Sequence, residues 1–364
     1  MKILQIIYSL SSGGAERFVV DLCNELSNQG HEVYLCTLRD DTVKNQGFYK
    51  NDISNEVNYI NLKLPEGFRL SNIKAINDVI REVRPNIVHC HQNLVNYIFP
   101  ITLYKKNIKF FHTIHNDAPT EVKNKFEYLI RKVFYSTNKV KAITISKETS
   151  NSFLKYYKCE KNVEIYNGCK TPLISKDIND VLTYINNLRI NSDFVFLHIG
   201  RCAIQKNQKM LISVFNRLKA EGVKVTLLII GSGFESELGN ELKSLANENI
   251  QFLGEKHYVA DYLINADAFC LSSIHEGMPI TLIEALACGC IPICTPVGGI
   301  VDTISDGVNG FISNSTTEED YYNSIKKFIN NTSLVKKDNL IKYYNERFTM
   351  FECADRHIKL YMEN

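Results

Sequence analysis

With 364 residues, 45% hydrophobic and 23% charged, the chain has ordinary globular composition and enough apolar material for two cores. A formal net charge of +2 argues against a general nucleic-acid binder. The charge is uneven, however: from Ile101 to Lys176 fifteen Lys and Arg stand against six Asp and Glu, an excess of nine that leaves the remainder of the chain at −7.

The opening apolar run, 1–8, is too short for a signal peptide, lacks a small-residue cleavage site and meets Gly13-Gly14 and Glu16-Arg17 at once. It predicts a buried first strand. Further strands are predicted at 32–38, 87–91, 109–114, 141–145 and 163–165, with helical patterns at 15–28, 73–83 and 122–135. Nearly continuous apolar strands alternating with helices imply a parallel sheet covered on both faces. From Cys169 to Asn191 the chain turns polar around Pro172, which reads as a linker and then a helix over 177–188. The alternation resumes with strands at 194–199, 225–230, 250–253, 268–271 and 291–294. The expected fold class is therefore α/β, two Rossmann-like doubly wound parallel-sheet domains, 1–170 and 171–348, facing a central cleft where the strands' carboxyl ends bind ligands. No window reaches the roughly 18 apolar residues of a membrane span. Eleven scattered cysteines, several inside apolar runs (Cys36, Cys270, Cys294), read as buried free thiols of a reducing compartment.

Three segments carry chemistry. Gly13 and Gly14, between the first strand and helix, permit close backbone approach to a ligand at a helix N-terminus, or merely serve a tight turn. In Gly200-Arg201-Cys202-Ala203-Ile204-Gln205-Lys206, the two cations Arg201 and Lys206 follow the first strand of the second domain, where fixed charges neutralise a diphosphate leaving group. The plain alternative is a solvated basic pair. The most specific segment is Glu276-Gly277-Met278-Pro279-Ile280-Thr281-Leu282-Ile283-Glu284. A carboxylate in the loop (Glu276) suits sugar hydroxyls, one inside the helix (Glu284) suits a ribose, and the first-turn amides of Ile280 and Thr281 suit phosphate. Here the plain alternative is acidic residues complementing a helix dipole.

Together, Gly-Gly-Ala-Glu at 13–16, Gly-Arg-x4-Lys at 200–206 and Glu-x7-Glu at 276–284, followed by Ala287-Cys288-Gly289, resemble the retaining glycosyltransferases of family 4 (glycosyl transferases group 1), which have the GT-B fold. The resemblance spans Met1 to the last helix, with Asn167-Gly168, Gly231-Ser232-Gly233, Phe252-Leu253-Gly254 and Val297-Gly298-Gly299 as minor signatures in the same order. It implies that Arg201 and Lys206 stabilise the diphosphate, Glu276 holds the donor sugar, Glu284 binds the ribose and Gly14 approaches the donor from the first domain. It places His115 near the donor sugar, making His115, Arg201, Lys206 and Glu276 the catalytic set. Gly13, Leu253 (through backbone atoms beside the base), Gly277, Met278, Ile280 and Thr281 complete the donor site, while Glu16 and His91 are assigned to the acceptor side. Residues 349–364 resemble the family's last helix, which returns to the first domain. Pro279 stands where many members have glycine and has no N–H to offer.

The implied activity is that of a retaining, hexosyltransferase-type glycosyltransferase, using a UDP- or GDP-sugar as co-substrate and a glycan or lipid-linked acceptor, with no metal cofactor. Consistently, no Asp-x-Asp pair for a metal-diphosphate occurs. His89 and His91 share a strand face, the beginning of a metal site, but no acidic residue stands near them in sequence. Within 123–132, Lys123, Lys125, Arg131 and Lys132 alternate with Phe126, Leu129 and Ile130, and the apolar spacing continues to Val133 and Phe134. That pattern fits a helix lying on the anionic inner face of the cell membrane, or one whose apolar stripe simply faces the core. A cytoplasmic, peripheral location is the corresponding expectation. Two other readings share the architecture: a nucleotide-sugar epimerase and a non-catalytic sugar-nucleotide-binding protein.

Overall fold

The computed structural model describes residues 1–43, 45–67 and 69–363. The chain divides into two compact units: Met1–Lys170 with Met350–Asn364, and Thr171–Thr349.

Unit 1 is built on seven parallel strands: β1 (Lys2–Ile7), β2 (Glu32–Thr37), β3 (Asn58–Asn61), β4 (Ile87–His91), β5 (Lys109–Ile114), β6 (Lys141–Thr144) and β7 (Asn162–Glu164). Their spatial order is β3-β2-β1-β4-β5-β6-β7. Its helices are α1 (Gly14–Asn28), α2 (Leu70–Val83), α3 (Val95–Thr102), α4 (Lys125–Ser136) and α5 (Lys147–Tyr157). Burial of both faces explains the mainly apolar character of β1 and β4, whose Ile3, Leu4, Ile6, Val88 and Cys90 have no exposed surface and whose Gln5, His89 and His91 are buried polar exceptions. The edge strand β3, sequence NYIN, has no fully buried residue, so it lacks the apolar run that marks the central strands.

Unit 2 opens with α6 (Ile178–Leu188) and contains six parallel strands: β8 (Phe194–Ile199), β9 (Val225–Ile230), β10 (Ile250–Gly254), β11 (Ala268–Leu271), β12 (Ile291–Cys294) and β13 (Phe311–Ile312). Their order is β10-β9-β8-β11-β12-β13. Between and after them run α7 (Gln208–Ala220), α8 (Glu237–Leu245), α9 (Ala260–Asn265), α10 (Ile280–Ala287), α11 (Ile300–Thr303), α12 (Glu318–Asn330) and α13 (Lys337–Arg347). The terminal α14 (Met350–Met362) follows unit 2 in the chain but belongs to unit 1. It packs on α1 and buries Cys353, Ala354, His357, Leu360 and Tyr361.

Each sheet reverses its winding direction once, between β1 and β4 in unit 1 and between β8 and β11 in unit 2. At such a switch point the loops leaving the two strands diverge, which opens a crevice at the carboxyl ends. The segments 13–16 and 91–92 stand at the first switch, 200–206 and 272–279 at the second. Among the described residues, no helix is long and apolar enough to cross a membrane.

Candidate active site

In unit 2, the loops after β8 and β11 are stitched together by backbone and side chain. Ile274 N donates to Gln205 O (2.8 Å), Gln205 Nε2 to His275 O (2.7 Å), and Ser272 Oγ to Lys206 O (3.0 Å). This brings Lys206 Nζ to 2.6 Å from Glu276 Oε1, which also accepts from Ser273 Oγ at 2.6 Å. Lys206 is thus not a loose cation. It forms a largely buried pair with Glu276, whose side chain is 7% exposed. Arg201 is exposed, and its guanidinium has no partner among the described residues.

The minor glycine signatures hold these loops from behind. A Cβ on Gly298, whose φ is +56°, would lie 1.9 Å from the Glu276 carbonyl oxygen. Beside it, Gly299 N donates to Gly277 O at 2.6 Å. A Cβ on Gly231 would meet Gly200 O at 2.0 Å, and Cys202 N donates to Ser232 O at 2.8 Å. Deeper in β8, buried His198 donates from Nδ1 to Cys270 O (2.9 Å), while Gln208 Nε2 donates to Arg201 O (2.8 Å). Burial pulls His198 down to about 4, so it serves as a neutral brace.

Pro279 is the N-cap of α10, and no side chain caps the helix. Its missing N–H therefore lies outside the first-turn donors, and the amides of Ile280 and Thr281 remain for an anion. The buried Thr281 hydroxyl also lacks a hydrogen-bond partner. Glu284 lies one turn inside α10 and Leu253 near the end of β10, both half-buried. Gly277 is buried; Met278 is 3% exposed and its sulfur accepts from Thr303 Oγ1 at 3.6 Å. At both positions only the backbone can face a ligand.

In unit 1, Gly13 is the uncapped N-cap of α1 and Gly14 its first, exposed residue. A Cβ on Gly13 would come within 2.2 Å of Glu16 Oε2, so a side chain there would displace the Glu16 carboxylate. Glu16 is 9% exposed and accepts from Gln92 Nε2 (2.9 Å) and Ser11 Oγ (3.3 Å). It ties the loop after β1 to the end of β4.

His115 follows β5, 8% exposed. Its backbone N–H and that of Asn116 donate to Glu121 Oε1 at 3.0 and 3.3 Å. Burial pushes the Glu121 carboxyl up to about 7, against the pull of Arg131 and these two amides. Glu121 Oε2 has no hydrogen-bond partner and sits 3.9 Å from Arg131 Nη1. Arg131 corrects the sequence reading: at 1% exposure it leaves the basic surface face of 123–132 and instead donates to Asn96 Oδ1 and Asn93 Oδ1, each at 3.0 Å. The apolar residues of α4 also divide. Ile130 and Phe134 pack on the core, whereas Phe126, Leu129 and Val133 are 71%, 57% and 57% exposed.

A second correction concerns His91. It has no exposed surface, and both ring nitrogens are engaged, with Gln5 Oε1 at 2.8 Å and His115 Nε2 at 3.1 Å. It stands behind His115 and does not line an acceptor surface. His89 is likewise bonded at both nitrogens. Among the described residues, no group of three or more His, Cys, Asp or Glu is arranged to hold a metal ion.

The site residues missed from sequence are the supports: Gln5, Glu121, His198, Ser273 and Tyr361. Gln5 and His198 left a signal, each being a lone polar residue inside an otherwise apolar strand core.

Two Rossmann-like parallel sheets, each with chemical groups at its switch point, define a protein of GT-B architecture. Residues 12–171 match Glycosyltransferase Family 4 and residues 182–347 match glycosyl transferases group 1, so the chain belongs to the group 1 glycosyltransferases of GT-B fold. Among relatives, the N-acetylgalactosamine-N,N'-diacetylbacillosaminyl-diphospho-undecaprenol 4-alpha-N-acetylgalactosaminyltransferase of Campylobacter jejuni is 27% identical over 368 residues, 96% of this chain and 94% of that one. The capsular polysaccharide biosynthesis glycosyltransferase CapH of Staphylococcus aureus is 24% identical over 317 residues, 82% of each chain. The fold is shared with Anabaena HepE, solved in complex with UDP and glucose, at a TM-score of 0.81, 18% identity and 99% coverage of both chains.

Proposed function

We propose that this glycosyltransferase moves a sugar, with retention of anomeric configuration and without a divalent ion, from a UDP- or GDP-sugar to a glycan or lipid-linked acceptor. The observation that carries the reading is the unit 2 switch point. Unpartnered Arg201, Lys206 paired with Glu276, and the uncapped amides of α10 converge on loops bonded to one another. Such a set of fixed cations and dipoles suits a developing diphosphate charge. Glu276 then holds sugar hydroxyls while Lys206 turns to the phosphate, Glu284 takes the ribose and the backbone at Leu253 the base. In unit 1, Gly14 approaches the donor, His115 meets its sugar, and Glu16 lies toward the acceptor.

No carboxylate is assigned as nucleophile. The acceptor oxygen bonds the anomeric carbon on the face from which the phosphate leaves, and the departing phosphate oxygen takes the acceptor proton. The lipid-linked acceptor draws support from the undecaprenol-linked substrate in the Campylobacter relative's name. It is also supported by the exposed Phe126, Leu129 and Val133 of α4 beside Lys123 and Lys125, a face suited to the anionic inner leaflet of the cell membrane. The polysaccharide alternative draws on the Staphylococcus relative.

Product NMR with each nucleotide-sugar decides the stereochemistry, and an inverted product refutes retention. Turnover abolished by EDTA and restored by Mg²⁺ or Mn²⁺ refutes the metal-free mechanism. Absence of co-sedimentation with anionic liposomes at low salt removes the membrane contact.

A further inference from the structure

Behind His115, five hydrogen bonds join six side chains of unit 1 in one chain. His89 Nε2 meets Thr113 Oγ1 (2.7 Å) and His89 Nδ1 meets Tyr361 OH (2.7 Å). Gln5 Nε2 donates to Tyr361 OH (3.2 Å). His91 Nε2 meets Gln5 Oε1 (2.8 Å), and His91 Nδ1 meets His115 Nε2 (3.1 Å). The groups come from β1, β4, β5, the residue just after β5 and α14, and all six are buried. Edge-on packing of Phe18 against His91 and His115 holds the two rings in place.

A neutral imidazole carries one N–H and one lone pair, a phenol one O–H, an amide a donor end and an acceptor end. Burial keeps these imidazoles neutral, so every proton in the chain points the same way, and one bond sets the rest. Gln5 is the directing group. Its carbonyl faces His91, so His91 Nε2 donates, His91 Nδ1 accepts and His115 donates from Nε2. Its amide faces Tyr361, so the phenol donates to His89 Nδ1 and His89 Nε2 donates to Thr113. Reversing Gln5 would reverse all five bonds and move the His115 proton to Nδ1. In the arrangement present, His115 Nδ1 keeps a lone pair and has no partner among the described residues.

We propose that Gln5, His91 and Tyr361 are positioning residues that hold His115 with its proton on Nε2 and its Nδ1 ready to accept a hydrogen bond from a hydroxyl of the donor sugar. This rests on His115 lying at that sugar. It makes α14 a determinant of which proton state the site offers.

Long-range ¹⁵N–¹H NMR on the histidine-labelled full chain, without ligand, reads the tautomer directly. The expected result is a protonated Nε2 and an unprotonated Nδ1 at His115; the reverse pattern, or averaged tautomers, overturns the proposal whatever the activity. In Tyr361→Phe the Gln5 amide loses its acceptor and its orientation is released. The His115 shifts should move toward the average, and kcat should fall about 10- to 100-fold, the range known for outer partners of metal-bound histidines. His91→Leu should lose a similar amount. His91→Asn, whose Oδ1 stands near the place of the lost Nδ1, should recover part of it, and equal activity in these two variants overturns the proposal by pointing to packing. Wild-type turnover in His115→Ala overturns the reading of His115 and this one with it. An inactive His115→Ala beside a Tyr361→Phe variant with unchanged tautomer and turnover overturns this proposal alone.

Discussion

The two units share a topology and differ in what they do with charge at the switch point. Unit 1 buries five histidines (His89, His91, His112, His115 and His357) together with Arg131 and Glu121; in unit 2, among the described residues, only His198 is a buried histidine. Unit 2 places its chemistry in loops, with exposed Arg201, the Lys206–Glu276 pair and uncapped α10 amides. Neutral buried rings offer hydrogen bonds of fixed direction, whereas loop cations and amide dipoles offer charge. In the function proposed above, the first arrangement selects hydroxyl groups and the second stabilises a leaving anion. One sheet design thus serves two tasks through the polarity of the few residues at its carboxyl end.

The comparison breaks most visibly in acid. Burial lowers His115 and His357 to about 4 and pulls His89, His91 and His112 well below 6.5. Between about pH 6.5 and 4 the unfolded chain therefore binds more protons than the folded one, and stability falls as the pH drops. For His115 and His357 the shift is worth on the order of 3 kcal/mol each. Glu121, held near 7, and Asp21, raised by burial, act the other way over the carboxylate range, but five rings outweigh two carboxyls. Hydrogen-exchange mass spectrometry at pH 7.5 and 5 should show β4, β5 and α14 losing more protection than β8, β9 and β11, where the one buried histidine, His198, carries a similar shift. Equal loss in both units would erase the contrast.

Next in size are the cations of unit 2. Lys206→Ala and Arg201→Ala should each lower kcat by roughly 10²–10³, or 2.7–4 kcal/mol of barrier, as for loss of one oxyanion donor. They should differ in stability. Lys206→Ala strands the nearly buried Glu276 carboxylate and lowers Tm, whereas unpartnered Arg201 can be removed with Tm unchanged. Wild-type kcat in Lys206→Ala would remove the cation from the mechanism. Equal Tm losses in the two variants would mean that Arg201 also serves the fold.

Much of this contrast was legible in the sequence. Continuous apolar runs mark the central strands, and the spacing of Arg201, Lys206, Glu276 and Glu284 marks the unit 2 loops and the first turns of α10, because such chemistry is written in local motifs. The edge strand β3 and the two-residue β13 escaped because neither carries a continuous apolar run of strand length. Arg131 was misplaced because helical spacing gives a face, and only the fold shows that Asn93, Asn96 and Glu121 wait beneath it. The polar chain of unit 1 was least legible: Gln5 and Tyr361 are 356 positions apart, and no local pattern links a glutamine in the first strand to a tyrosine in the last helix.

The smallest effect separates two reasons for a glycine. Gly222, just after α7, has φ +78° with nothing within 4 Å of an added Cβ among the described residues, so Gly222→Ala should cost only the left-handed backbone, roughly 1–2 kcal/mol, and leave turnover alone. Gly298→Ala bears a similar backbone cost and also drives a methyl into the Glu276 carbonyl, 1.9 Å away. The loop bearing Glu276 must then shift, and a displacement near 1 Å in a positioned group is worth about 10² in rate. Measuring Tm and kcat for both variants sets the two glycines apart. If Gly298→Ala proved as active as Gly222→Ala, the 297–299 turn would be a bystander, and Glu276 would owe its place to Lys206 and Ser273 alone.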